Sequence, residues 1–295
     1  MYFEKIRKSS TWCKLIILMR NYGFIPPKNF EKHFHFSGWF NANIAENKIT
    51  MENHNTQIET SIFWEKRPFE ATSLIAFSAN ACDFENILDV GANTGIYTLV
   101  AGSANKNANI IAIEPIVSIF NLLEKNVKKN KFNATCLNIA ATNVNKLVTI
   151  WDFDTEISSS ASLKKGFRDN TKAVQVQGMR LENILINNNF SNRLLIKIDV
   201  ESHEPQVLIG MKNIIDDPKS ELIILIEILS DENAVEVESI LINKNFKYFM
   251  VYDDLNKVVC CTELKAFSGL NYFIVSNKCI DDFKYRLTYK NIKIY

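Results

Sequence analysis

At 295 residues and 47% hydrophobic side chains, the chain has enough apolar content for a sizeable core, which excludes an intrinsically disordered protein. Its 34 Lys and Arg against 33 Asp and Glu leave a formal net charge of +1, with none of the basic excess that a nucleic-acid partner calls for. The length suits one α/β domain over residues 59–295, preceded by an extension or cap over residues 1–58.

Residues 4–20 interleave Lys5, Arg7, Lys8, Lys14 and Arg20 with Ile6, Trp12, Leu15, Ile16 and Leu18. That pattern predicts a basic amphipathic helix, packed on the domain or resting peripherally on a membrane surface. The apolar run from Leu15 to Met19 is too short for a signal-peptide core or a bilayer span. His33 and His35 form an H-x-H among aromatics but lack an acid or cysteine neighbour, so no metal is expected there. Periodicity is weak up to about residue 58, and the polar stretch from Asn41 to Gln57 reads as loop. A helix is expected from Ile62 to Asn80, broken near Pro68.

Regular alternation then begins. Strand 87–90, helix 95–104, strand 110–113, helix 117–129 and strand 135–139 follow one another. Strands 148–153 and 173–179 flank the serine cluster Ser158 to Ser162, and a short helix 181–187 leads to strand 194–200. Helix 205–214, strand 222–228, helix 231–243 and strands 246–252 and 271–276 complete the series. Alternating β and α elements predict a doubly wound, mainly parallel α/β sheet covered on both faces, and the late strands without a helix between them predict an antiparallel edge.

Three strand ends carry the chemistry. The first is Asp89-Val90-Gly91-Ala92-Asn93-Thr94-Gly95, a glycine-bracketed turn from strand to helix that lets a ligand approach backbone N–H groups. Its G-x-x-x-G spacing is neither the dinucleotide fingerprint nor a P-loop. The second is Glu114-Pro115, an acid closing the next strand, where it can accept hydrogen bonds from both hydroxyls of a ribose. The third is Asp199-Val200-Glu201-Ser202-His203-Glu204, three acids and an imidazole crowded after an apolar strand. A charged helix N-terminus would explain this last group equally well when it is taken alone.

Together with Tyr97-Thr98, Asn138-Ile139-Ala140-Ala141, the serine cluster and Lys197-Ile198, these pieces resemble, in order, the FkbM family of S-adenosylmethionine-dependent methyltransferases over residues 85–275. Ser202 departs from the family's usual glycine, and Thr142-Asn143 from its usual serine and acid. The resemblance implies a seven-stranded, Rossmann-like class I methyltransferase sheet and an O-methyl transfer. Asp89, Gly91, Asn93, Gly95, Glu114, Asn138 and Ala140 would hold S-adenosyl-L-methionine. Asp199, Glu201 and His203 would be catalytic, with His203 as general base because its ordinary pKa lies near neutrality. Asp199, Glu201 and Glu204 can also bind a divalent cation, although so small an acid set does not require one.

The expected acceptor is a hydroxyl of a sugar, glycan or glycolipid, with a polyketide or other small metabolite as the alternative. Trp12, Trp39, Phe40 and Trp64 would suit stacking on sugar rings. A nicotinamide-dependent dehydrogenase would share the glycine turn and Glu114 but leave the third strand end unexplained. A non-catalytic partner of the same fold in a glycan-synthesis complex is the remaining rival. The six cysteines, Cys13, Cys82, Cys136, Cys260, Cys261 and Cys279, show no zinc or disulfide spacing and read as reduced core thiols of a cytoplasmic protein.

Overall fold

The structure is a computed structural model, which describes every residue except 1–8, 28–29, 31–32, 66–68, 154–170 and 267–270. The serine cluster and Lys5, Arg7 and Lys8 therefore lie outside the described residues. In chain order the elements begin with α1 (Ser10–Asn21), β1 (Gly38–Ile44), β2 (Asn47–Asn53), α2 (Gln57–Trp64) and α3 (Ala71–Ala81). Then come β3 (Asn86–Val90), α4 (Ile96–Ala104), β4 (Asn109–Ile113), α5 (Val117–Asn130), β5 (Ala134–Leu137) and β6 (Ala140–Thr142). The middle of the chain supplies β7 (Leu147–Phe153), β8 (Thr171–Arg180), α6 (Leu181–Asn187), β9 (Arg193–Ile198), α7 (Glu204–Ile209) and α8 (Lys212–Asp216). The last elements are β10 (Glu221–Glu227), α9 (Asp231–Leu241), β11 (Phe246–Tyr252), β12 (Lys257–Cys261), β13 (Asn271–Ser276), α10 (Ile280–Tyr289) and β14 (Lys293–Ile294).

The main sheet runs β14-β12-β11-β13-β10-β9-β3-β4-β5. Strands β5, β4, β3, β9 and β10 are mutually parallel, and β13 inserts antiparallel between β10 and β11. The seven strands from β5 to β11 are those expected from their apolar runs. The central ones read as continuous Ile, Leu and Val because α/β packing buries both of their faces. Two short strands, β12 and then the edge strand β14, extend the sheet to nine. β12 is only partly buried and β14 is two residues long, so neither leaves a hydrophobic run to read.

Other boundaries also move. The third strand stops at Leu137, and Ala140–Thr142 joins β7 and β8 in a separate three-stranded sheet. Strand β9 stops at Ile198, which places Asp199 and Val200 in the loop beyond it. The helix expected over 205–214 is two short helices, α7 and α8. Most of the polar stretch from Asn41 to Gln57, read as loop, is a hairpin. Ala45 and Glu46 both have positive φ (50° and 67°), the geometry of a two-residue turn matched to strand twist. Phe40, Ala42, Ile44, Ile49 and Met51 point inward and join Leu99, Val100, Ala101 and Val127 of α4 and α5 in one hydrophobic cluster. The six cysteines are unpaired, but only Cys279 is fully buried, and Cys82 and Cys260 are exposed, so most are not core residues.

Candidate functional site

The winding of the sheet reverses between β3 and β9, the place where open α/β sheets form a crevice beyond their strand ends. Here the two loops lie backbone on backbone. The Asp199 N–H donates to the Val90 carbonyl at 3.0 Å. Gly91 turns at φ +79°, and a β-carbon there would sit 1.8 Å from the Asp199 carbonyl oxygen, so only glycine fits. Gly95 caps α4 at φ +97°, where a β-carbon would meet Leu123 of α5 at 2.7 Å. Gly95 therefore seats the helix on its neighbour, and among the described residues it is absent from the cavity wall.

A cavity of about 300 Å³ fills this crevice, within the range of small-molecule sites. Gly91, Asn93, Glu114, Ile116, Ala140 and Ile150 are among the residues that line it. Glu114 is nearly buried; its Oε2 accepts from the Asn93 N–H at 3.0 Å and its Oε1 from the Ile116 N–H at 2.9 Å. Two backbone amides thus aim the carboxylate, which as an ionised acid acts only as an acceptor. Asn138 serves the wall from behind, with Nδ2 donating to the carbonyls of Glu114 and Pro115 at 2.9 Å each. It does not line the cavity, whereas Ala140 does. Asp89 is buried and accepts from the Thr98 N–H and hydroxyl at 2.9 and 2.6 Å, which ties β3 to α4. Burial raises its carboxyl to about 6 despite those bonds.

The floor is a charge cluster that the sequence reading did not assemble. Lys197, 1% exposed, directs its Nζ to Asp199 Oδ2 at 3.4 Å and to Asn271 Oδ1 at 3.2 Å. Asn271 Nδ2 and the Tyr97 hydroxyl each donate to Glu70 at 2.7 Å. Glu227, at the end of β10, follows the Ile226–Ile198 register pair and lines the same cavity as Asp199. Burial alone would lower the Lys197 ammonium, but Asp199, Glu70, Glu227 and Asp89 outweigh it and hold the charge in place. Burial pushes the carboxyls of Glu70 and Glu227 up, and the Asp199 charge adds to the rise. Glu227 carries the same signal as Glu114, an acid ending an apolar strand. Glu70 and Asn271 come from distant segments and carry no local signal.

The loop after β9 separates the residues expected to work together. Asp199 and Glu201 line the cavity. Glu201 and Ser202 then take consecutive left-handed conformations, at φ 52° and 73°, and turn the chain away. The second of these explains why a glycine suits position 202. His203 lies outside the cavity lining, where its Nε2 shares a 3.1 Å hydrogen bond with Thr142 Oγ1. Burial lowers its pKa to about 4, which disfavours the imidazolium a general base must become. Nor is Glu204 available to a cation with Asp199 and Glu201. Its Oε1 accepts from the N–H groups of Val200 and Ser202, and its Oε2 from Asn233 Nδ2. Among the described residues no group of three or more His, Cys, Asp or Glu has metal-binding geometry.

The N-terminal segment closes the cavity. Thr56, Ile58, Ile62 and Phe69 stand on its wall. Glu59, fully buried, accepts from the Thr94 hydroxyl at 3.0 Å and from the Thr56 N–H, which fastens the start of α2 to the glycine turn. Phe40 and Trp64 are buried in the hydrophobic cluster, and the Trp12 indole donates to the His35 carbonyl. Neither Phe40 nor any of the four tryptophans stands on the cavity wall, so these are not the residues that would stack on a sugar there.

A family model described as the methyltransferase FkbM domain matches residues 89–248, more than half of the chain. No curated protein matches. Among solved structures, the methyltransferase FkbM from Methylobacillus flagellatus KT is 16% identical, with 65% of this chain and 44% of that chain covered and a TM-score of 0.40. This chain thus spans less than half the length of that relative. A SAM-dependent O-methyltransferase from Thermotoga maritima is 12% identical, covering 83% and 80% of the two chains with a TM-score of 0.41. A SAM-dependent methyltransferase from Agrobacterium tumefaciens is 7% identical, covering 82% and 71% with a TM-score of 0.45.

Proposed function

The chain belongs to the FkbM family of methyltransferases, and from that premise we propose that it transfers a methyl group from S-adenosyl-L-methionine to a hydroxyl of a sugar, glycan or glycolipid. The observation that carries this reading is a single cavity into which the glycine turn, Glu114 and the acids Asp199 and Glu201 all open. The residues fit the donor. Glu114 suits the ribose hydroxyls, and Ile116, Ala140 and Ile150 offer an apolar slot for the flat base. The acidic floor suits a ligand bearing an ammonium and a sulfonium.

When bound, S-adenosylmethionine supplies an electrophilic methyl: the O–C bond forms as the C–S bond breaks, the electron pair stays on sulfur, and the hydroxyl proton passes to the protein. Asp199, held by Lys197, is the cavity carboxylate at the switch point and takes the role expected of His203. A positioned base of this kind contributes about 10²–10⁴-fold. Phe69, 47% exposed on the cavity wall, offers an aromatic face for a sugar ring, and Glu201 an acceptor for its hydroxyls. A lipid-borne acceptor is favoured by Leu15, Leu18, Tyr22, Phe24 and Ile25, all exposed large apolar side chains on or just after α1, beside the exposed Lys14.

Calorimetry with S-adenosylmethionine and with NAD tests the donor. The first is expected to bind and the second not. Glu114→Ala is expected to weaken donor binding roughly 10- to 100-fold by removing charge-assisted hydrogen bonds. Unchanged affinity in a folded Glu114→Ala variant would sink the ribose assignment. Transfer of a labelled methyl group to oligosaccharides and glycolipids, but not to macrolide polyketides, is the expected acceptor pattern, and the reverse would select the alternative.

A further inference from the structure

Asp199 and Glu227 stand at the carboxyl ends of neighbouring parallel strands, β9 and β10, and both face the cavity. They follow the register pair Ile226–Ile198 directly, so two carboxyl groups on adjacent strands open into one enclosed cavity, where like charges so close do not both stay ionised. The groups around the pair come from every neighbouring element. Lys197 lies beneath it on β9, Asp89 is its partner in register on β3, Glu70 caps α3, Tyr97 stands on α4, and Asp253 follows β11. One ammonium thus serves five carboxyl groups. Glu70 is satisfied by Asn271 and Tyr97, Asp89 by Thr98, and Asp253 by Ser73. Asp199 and Glu227 are the two of the five that end neighbouring parallel strands on the cavity wall.

We infer that Glu227 holds one proton in the donor-free protein, and that arrival of the cationic donor expels it, leaving Glu227 ionised beside Asp199 as the base for the acceptor hydroxyl. The inference rests on the S-adenosylmethionine reading and deepens it. A positive charge brought into a cavity of this size favours the ionised form of its carboxyls. The rise of the Glu227 carboxyl through burial and the Asp199 charge supports a proton resident there near neutral pH. The proton count closes. One proton leaves to solvent as the sulfonium enters, and the hydroxyl proton then replaces it as the O–C bond forms. The thioether product carries no charge on sulfur, so Glu227 keeps its proton when the product departs. The net reaction releases one proton per methyl transferred, and the site moves that release ahead of the chemical step.

The test needs no acceptor. Titrating the intact protein with S-adenosylmethionine and with S-adenosylhomocysteine, in buffers of different ionisation enthalpy at about pH 7.5, counts the protons released on binding. Release approaching one proton is expected for S-adenosylmethionine and near none for S-adenosylhomocysteine. Glu227→Gln and Asp199→Asn are each expected to bind S-adenosylmethionine without the release, whatever the change in affinity. Equal release with both ligands, no release with S-adenosylmethionine, or release that persists in both variants would overturn the resident proton on Glu227 and leave the methyltransferase reading standing. A wild-type protein that binds neither ligand would instead overturn that reading, and this one with it.

Discussion

Glu204 shows how one side chain is read differently before and after the chain folds. In the sequence it is the last acid of a catalytic-looking cluster. In the structure it is a brace whose carboxylate receives two N–H groups of the left-handed turn and the Asn233 amide. Burial raises its carboxyl to about 7. An acid with a native pKa above its ordinary 4.5 binds more protons folded than unfolded between those values. Its contribution therefore becomes less favourable as pH rises from about 4.5 to 7, and is level outside that window. A shift of this size corresponds to roughly 3 kcal/mol. Glu204→Gln removes the titration, and a flip of the Asn233 amide would bring its otherwise unpaired Oδ1 to the new NH₂ group. The variant is expected to gain stability relative to wild type as pH rises through that window, measured as urea midpoints at pH 5 and pH 7.5. Glu204→Ala strands two N–H groups and is expected to lose about 1–3 kcal/mol at both. A Gln variant whose difference from wild type does not change with pH would refute the buried-acid account.

At the scale of elements, what was legible follows from what each element buries. Strands β3, β4, β9, β10 and β13 announce themselves because both of their faces are covered, and the acids at strand ends announce a crevice. The β1–β2 hairpin is hard to read because most of its outward positions are Asn41, Asn43, Lys48 and Glu52 and its turn is Ala45-Glu46 rather than an Asn-Gly signal. His203 stands apart from the cavity that Asp199 lines, because proximity in sequence says nothing of the two left-handed residues between them. Glu70, Lys197 and Asn271 converge from three distant segments, which no local pattern reports. A similar convergence holds the glycine turn. Asn126 of α5, fully buried, accepts from the Glu52 N–H of β2 at 2.9 Å and donates to the Thr94 carbonyl at 2.8 Å. Asn126→Ala leaves both backbone groups unpaired, so a loss of about 2–3 kcal/mol is expected. Donor affinity should fall with it, because the turn that receives the donor loses one of its two ties to the N-terminal segment, the other being Glu59. A variant melting at the wild-type temperature with unchanged donor affinity would show that Glu59 alone positions the turn.

For the whole molecule the question is whether residues 1–58 are a detachable cap. We propose that they fold with the sheet as one cooperative unit. Phe36, Phe40, Ile44, Ile49 and Met51 share a hydrophobic cluster with Leu99, Val100 and Leu195 from α4 and β9, so neither part completes its core alone. Polar ties reinforce this through Asn126, Asn130 and Glu59. The chain supplies its own reporters: Trp12, Trp39 and Trp64 are three of its four tryptophans and all precede β3. Trp12 and Trp39 lie within residues 1–58 and Trp64 on α2 just beyond, so tryptophan fluorescence is weighted toward this end of the chain, while far-UV circular dichroism follows the sheet and helices as a whole. Urea unfolding watched by both is expected to give one coincident transition, the behaviour of a single cooperative unit. A fluorescence transition at lower urea, with most of the dichroism surviving it, would make the cap a separate domain. The cavity would then be a site that opens when the cap lets go, since Thr56, Ile58 and Ile62 form part of its wall. Coincidence would mean that the donor cavity and the hydrophobic core are lost together, and that a donor binding only the folded chain raises both midpoints equally.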